Sequence, residues 1–180
     1  MSTTTVKEQQ TLDQNVIQAV QALAKEINSN PEKADVSFRA ESKLEKGLQS
    51  EINVREFQFV SDEPESLGGT NRGASPVEYV LAALAACQEI VIKAHALALG
   101  INVKSVTIKT TGNLDLRGFL NLSDDARPGF NDVNLITEIE TDETDEKKLK
   151  QLEEISYKNC PVLDIIENPV PVEGTINFVS

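Results

Sequence analysis

Between Pro76 and Leu99 lies the stretch PVEYVLAALAACQEIVIKAHALAL, in which apolar residues fill most positions of every helical turn. It follows Ser75 and stops at Gly100, so it reads as one long helix with a Ser-Pro start and a glycine at C′. A helix apolar on most sides is stable only where it is covered on every side. A chain of 180 residues has limited material for that cover. The expectation is therefore a homodimer in which the central helices of two copies pack together. The most apolar run, Tyr79 to Cys87, is too short to span a bilayer and is followed at once by Gln88 and Glu89, which argues against a membrane segment.

The sequence around this helix changes period. In 36–41, Val36, Phe38 and Ala40 alternate with Ser37, Arg39 and Glu41, the pattern of a half-buried strand. Residues 48–54 and 55–61 read as further antiparallel strands. The stretch 62–75, with Pro64, Gly68, Gly69 and Gly73, reads as a loop. Strands are expected near 102–112 and 132–140, separated by a long irregular segment. A charged helix follows from about 144 to 158, then a break at Asn159-Cys160-Pro161 and a short helix to about 167. Val172, Ile176 and Phe178 alternate with Glu173, Thr175 and Asn177 in an expected last strand. Strands gathered around a buried helix, without β-α-β alternation, indicate the α+β class. Ahead of them, residues 11–28 place Val16, Val20, Leu23, Ala24 and Ile27 on one stripe, with Thr11 and Gln14 at capping-box spacing. The expected organisation is an N-terminal helix and linker over 1–35 and a main domain over 36–180.

Charge narrows the function. Seventeen Lys and Arg stand against 29 Asp and Glu, a net charge of −12, which disfavours nucleic acid and anionic membranes as partners. Six Phe, two Tyr and no Trp leave few platforms for stacking bases. The opening MSTTTVKEQQ has no basic start and no apolar run, so a cytoplasmic location is expected. In a reducing compartment the two cysteines, Cys87 and Cys160, read as buried thiols, metal ligands or redox-active groups rather than a structural staple.

Taken alone, Cys87 faces the same way as Val80, Ala83, Leu84, Val91 and Ala94 and reads as a small core residue, since apolar burial makes a thiol inert. Cys160 precedes Pro161 at a helix start, where N–H groups favour a thiolate, although a buried residue at a helix junction has the same spacing. Glu78 stands at N3 after Ser75 and reads as half of a capping box rather than a catalytic acid. His95, the sole histidine, lies two turns beyond Cys87 and reads as a core or junction residue. One His and two distant Cys offer no metal spacing. Serine-hydrolase, P-loop and dinucleotide signatures are missing, so no cofactor is expected.

The block DEPESLGGTNRGASPVEYVLAALAAC (62–87), followed by GNLDLRGF, RPGF and NCPVLDII (159–166), resembles the OsmC/Ohr family of hydroperoxide-resistance proteins over about 36–180. The resemblance implies an OsmC-like fold, an intertwined homodimer with antiparallel sheets wrapped around central helices and active sites at the interface. It also implies a cysteine-dependent peroxidase acting on organic hydroperoxides. Cys87 would be the peroxidatic thiol, Cys160 the resolving one, and a dithiol reductant would reset the pair. Two positions depart from the family pattern. Val77 stands where a Glu follows the helix-start proline, and the early stretch 42–49 offers Lys43 and Lys46 where the family has an Arg. Arg39 and Arg72 are the nearby alternatives, and the sequence selects neither. The other readings are a non-catalytic protein binding a lipid-like ligand, favoured by Val77, and a redox sensor.

Overall fold

The computed structural model describes residues 3–179. Helix α1 spans Thr3–Ser29 and is followed by a single turn of 3-10 helix at Pro31–Ala34. It starts earlier than expected because Thr11 does not cap it. The Thr11 hydroxyl instead donates to the Lys7 carbonyl one turn back, a bond that lets Thr sit inside a helix.

Strands β1 (Glu41–Lys46), β2 (Gln49–Val54) and β3 (Phe57–Ser61) form an antiparallel meander, with Glu41 opposite Asn53 and Ser50 opposite Ser61. The first strand therefore lies five residues later than the alternation of 36–41 suggests. A hairpin turn at Gly47–Leu48 fixes its register against β2, and Phe38, with no neighbouring strand, is 92% exposed. The loop 62–75 folds back on β3. Gly69 passes so close to the start of the loop, and Gly73 to β3, that a Cβ would lie 1.8 Å from the Glu63 carbonyl oxygen and 2.2 Å from that of Val60 respectively.

Helix α2 runs Pro76–Leu99, as the sequence predicts. The Ser75 N–H and hydroxyl both donate to Glu78 Oε2, at 2.7 and 2.9 Å, which closes the capping box and holds the Glu78 carboxyl below its ordinary pKa. At the other end Gly100 (φ +68) donates to Leu97 and Ile101 to Ala96, a Schellman stop. Its first half is tied to β3 by the Tyr79 hydroxyl on the Val60 carbonyl, 2.7 Å, and by the Phe59 and Tyr79 rings, 5.3 Å apart. At 24 residues the whole helix is long and apolar enough to cross a bilayer by length and composition, which the shorter run Tyr79–Cys87 does not convey.

Strand β4 (Val103–Leu114) pairs with β5 (Phe130–Thr141). The ion pair Lys104–Asp142 and the bond from Asn113 to Asp132 mark their antiparallel sense. Between them a short helix α3, Leu116–Phe119, is capped by Asp115. Helix α4 (Glu146–Lys158) is capped by Asp145, and α5 (Pro161–Glu167) follows directly. The expected last strand is not formed. Residues 168–179 carry no regular structure, with Phe178 97% exposed, because alternation without a neighbouring strand leaves the backbone unpaired.

The chain divides into two compact units, 1–83 with 109–136 and 84–108 with 137–180. In the second, Ile92 and Ala96 of α2 pack with Ile101, Val103 and Leu152 as the core. The mixed helices and antiparallel strands are those of the α+β class. Gly69→Ala is expected to destabilise the protein by about 1–3 kcal/mol, because the loop backbone must move to admit a methyl group, and urea denaturation measures this.

Candidate functional site: the Cys87–Cys160 thiol pair

Cys87 lies at mid-helix in α2 and Cys160 is the N-cap of α5, at the break that Pro161 imposes after α4. The fold brings these two residues together, close enough for one thiol to act on the other, and both cysteines are free. Cys160 is fully buried, whereas Cys87 is half-buried. Burial pushes the Cys160 thiol above its ordinary pKa, and the bond to Cys87 with its charge pushes it further. The N–H groups of Leu163 and Val162, at the start of α5, act in the opposite sense and are outweighed. The helix N-terminus therefore does not make Cys160 a thiolate. Desolvation outweighs those N–H groups, and the net shift is upward.

Around the pair, His95 proves to be a junction residue: its Nε2 meets Asn159 Nδ2 at 3.4 Å, one residue before Cys160. Gln88, next to Cys87 in the chain, was not singled out by the sequence. It belongs to the buried stripe Leu84, Gln88, Ile92 and Ala96, and its Nε2 is buried with no hydrogen-bond partner among the described residues. A polar residue on the buried stripe of an apolar helix is the one signal that could have found it. Among the described residues no cluster of His, Cys, Asp or Glu could hold a metal ion.

The other unit contains two features of its own. Asp62, also missed, is buried and organises the glycine-rich loop. Its Oδ1 accepts from the Glu63 N–H at 2.8 Å, and its Oδ2 accepts from the Thr70 hydroxyl at 2.6 Å and from the Thr70 and Arg72 N–H groups at 3.0 and 3.2 Å. These donors, the Thr70 hydroxyl foremost, hold its pKa below the ordinary carboxylate value. A pocket of about 470 Å3 lies between the meander and the start of α2, with Ile52, Phe59, Pro76, Tyr79 and Ala83 as apolar walls and Ser42, Ser50 and Ser61 at its polar points. Of the basic residues weighed in the sequence, Lys43 is paired with Glu45 at 2.6 Å, Arg39 is exposed, and Arg72 lends the loop its backbone N–H.

A two-thiol α+β protein with a cysteine in a long central helix and a second at a Cys-Pro helix start is the class that these features define. The family model for OsmC-like protein matches residues 69–174, and the chain belongs to that family. A search of curated proteins finds no match. Among solved structures the chain is similar to an OsmC-like protein from Mycoplasma pneumoniae, at 22% identity over 75% of this chain and 90% of that one, with a TM-score of 0.65. It is also similar to an organic hydroperoxide resistance protein OsmC from Legionella pneumophila, at 17% identity over 73% and 89%, TM-score 0.53. A third is an organic hydroperoxide resistance protein from Elizabethkingia anophelis, at 17% identity over 75% and 91%, TM-score 0.55.

Two outcomes are expected. Iodoacetamide at pH 7.5 should alkylate Cys87 well before Cys160, since Cys160 is both buried and protonated; mass spectrometry of tryptic peptides reads the order. Asp62→Asn should lower the melting temperature at pH 7. A depressed pKa stabilises the fold above the unfolded-state value near 4 and loses that effect as pH falls through the folded value. The gap between variant and parent should therefore close below about pH 4.

Proposed function

We propose that the protein is a thiol-dependent peroxidase that reduces organic hydroperoxides. The observation that carries this reading is the placing of a half-buried Cys87 next to a buried Cys160, both free thiols. Family membership and the names of the Legionella and Elizabethkingia proteins support a peroxide-related redox role. In the proposed cycle the Cys87 thiolate attacks the terminal oxygen of the hydroperoxide. An S–O bond forms, the O–O bond breaks, and the departing alkoxide takes a proton and leaves as alcohol. Cys87 is then a sulfenic acid. The Cys160 sulfur attacks it, forming the Cys87–Cys160 disulfide and releasing water, and a dithiol reductant restores both thiols by exchange. The division of roles assigned here gives the attack to Cys87, the more accessible sulfur, and the second step to the buried Cys160.

The acting unit in this reading is a homodimer. Val77, Val80 and Ile90 of α2 are exposed, Ile90 to 69%, and the extended segments around Phe38 and over 168–179 expose alternating apolar residues with no strand beside them. A second copy supplies cover for all three. Sedimentation at micromolar concentration should give a species of two chains.

A second reading is favoured by Val77, which removes a carboxylate from the helix start, and by the apolar pocket between the meander and α2. It makes the protein a binder of a neutral, lipid-like molecule, with the thiols idle or acting as a single-use sensor. Thiol titration separates these. With cumene hydroperoxide and excess dithiol, continued peroxide consumption is expected. Loss of thiols without turnover would mean a sensor, and no loss would mean a binder. Cys160→Ser should still form a Cys87 sulfenic acid that dimedone traps, while Cys87→Ser should consume no peroxide. Oxidation of Cys160 in the Cys87→Ser protein would reverse the roles.

A further inference from the structure

The break between α4 and α5 has little of its own to hold it. Cys160 caps α5 without a side-chain bond, and Pro161 has no N–H to give. Asn159, the C-cap of α4, spends its backbone N–H on the Ile155 carbonyl and sends its side chain to α2. There Asn159 Nδ2 lies 3.4 Å from His95 Nε2, which accepts as the bare nitrogen of a neutral ring. Cys87 and His95 are separated by about 12 Å along the axis of α2, whereas the Cα atoms of the chain neighbours Asn159 and Cys160 are about 3.8 Å apart. The two neighbours therefore meet α2 at points two turns apart. One meeting is polar, at His95, and the other is at the thiols.

We propose that His95 is a positioning residue for the second thiol step: through Asn159 it holds the break along α2 so that Cys160 stays beside Cys87. The consequence for the cycle rests on the peroxidase reading above. In that cycle the Cys160 sulfur attacks the Cys87 sulfenic acid, an S–S bond forms, the S–O bond breaks, and the hydroxyl leaves with the Cys160 proton as water. A sulfenic acid that is not closed in this way stays open to a second peroxide and to sulfinic acid. Closure depends on how one sulfur is placed against the other, and a displacement of about 1 Å costs up to about a hundredfold in rate. Attack on the peroxide is made by Cys87 within α2 itself, so the contact bears on the second step and not on the first.

The test uses the full chain with both cysteines in place. After one equivalent of cumene hydroperoxide, rapid quenching and mass spectrometry follow the Cys87 sulfenic acid, trapped by dimedone, and the Cys87–Cys160 disulfide. His95→Leu and Asn159→Ala should each slow closure about tenfold or more, while Cys87 oxidises within about twofold of the parent rate. His95→Gln, whose Oε1 accepts from Asn159, should bring closure back to within about threefold of the parent. The double variant His95→Leu/Asn159→Ala should close no more slowly than either single variant, since both remove one shared contact. Unchanged closure in the single variants overturns the proposal, and so do additive losses, failure of the Gln rescue, or equal slowing of both steps. Diamide drives the same closure without peroxide: it adds to one thiol, and the other displaces it as a hydrazine and leaves the disulfide. A parent protein that consumes no peroxide overturns the peroxidase reading alone, whereas diamide closure that is as fast in the single variants as in the parent overturns this one.

Discussion

The constraint on which this structure turns is the mismatch between the apolar surface of α2 and what one chain offers to cover it. Only Leu84, Gln88, Ile92 and Ala96, one residue per turn, are fully buried, while Val77, Val80 and Ile90 remain exposed. Each Å2 of apolar surface taken out of water is worth about 25 cal/mol, so the bare flank is a standing drive toward association. Everything that fixes the ends of α2 serves the same geometry. Glu78 closes its first turn, Gly100 its last, and Asp62 gathers the glycine-rich loop that delivers the chain to Ser75.

Much of this helix was legible because its signals are local. Ser75, Pro76, Glu78 and Gly100 each act within a turn of their own position, and the break between α4 and α5 is written in Pro161. Strands were legible where the fold gives them a partner, as in β2 with β3 and β4 with β5. Alternation in 36–41 and in 172–178 states that a segment has two unlike faces, but a strand also needs a neighbour, and the neighbour is a non-local fact. Hence β1 begins at Glu41, where Gly47 and Leu48 turn it onto β2, and the tail stays unpaired. Thr11 misled for a related reason: a hydroxyl that can cap can also bond one turn back within a helix that continues.

The site was less legible than the fold. Cys87 and Cys160 lie far apart in sequence, and only the resemblance to the family paired them; spacing alone left each a plain core residue. Of the two readings the sequence left open for Cys160, a thiolate at a helix start and a buried junction residue, the buried one holds. Its place at a helix start favours a thiolate, but the charge–dipole gain there is typically about 0.3–1 kcal/mol at exposed positions. Removing a thiolate from water in an apolar junction costs more, and the observed shift is upward. Asp62 shows the opposite balance. It is as buried as Cys160, yet four donors converge on it and its pKa falls.

That contrast extends to Gln88. A buried amide nitrogen without a partner costs about 1–3 kcal/mol, and the stripe it occupies would accept Leu or Met at no such cost. Placed directly after Cys87, it is the one polar group on the buried side of α2 whose hydrogen-bonding capacity is unspent among the described residues. Asp62 is satisfied by the loop it holds. Cys160 is buried beside another sulfur, which adds to its upward shift. Gln88 alone of the three keeps an unmet polar atom, and it stands next to Cys87 in the chain.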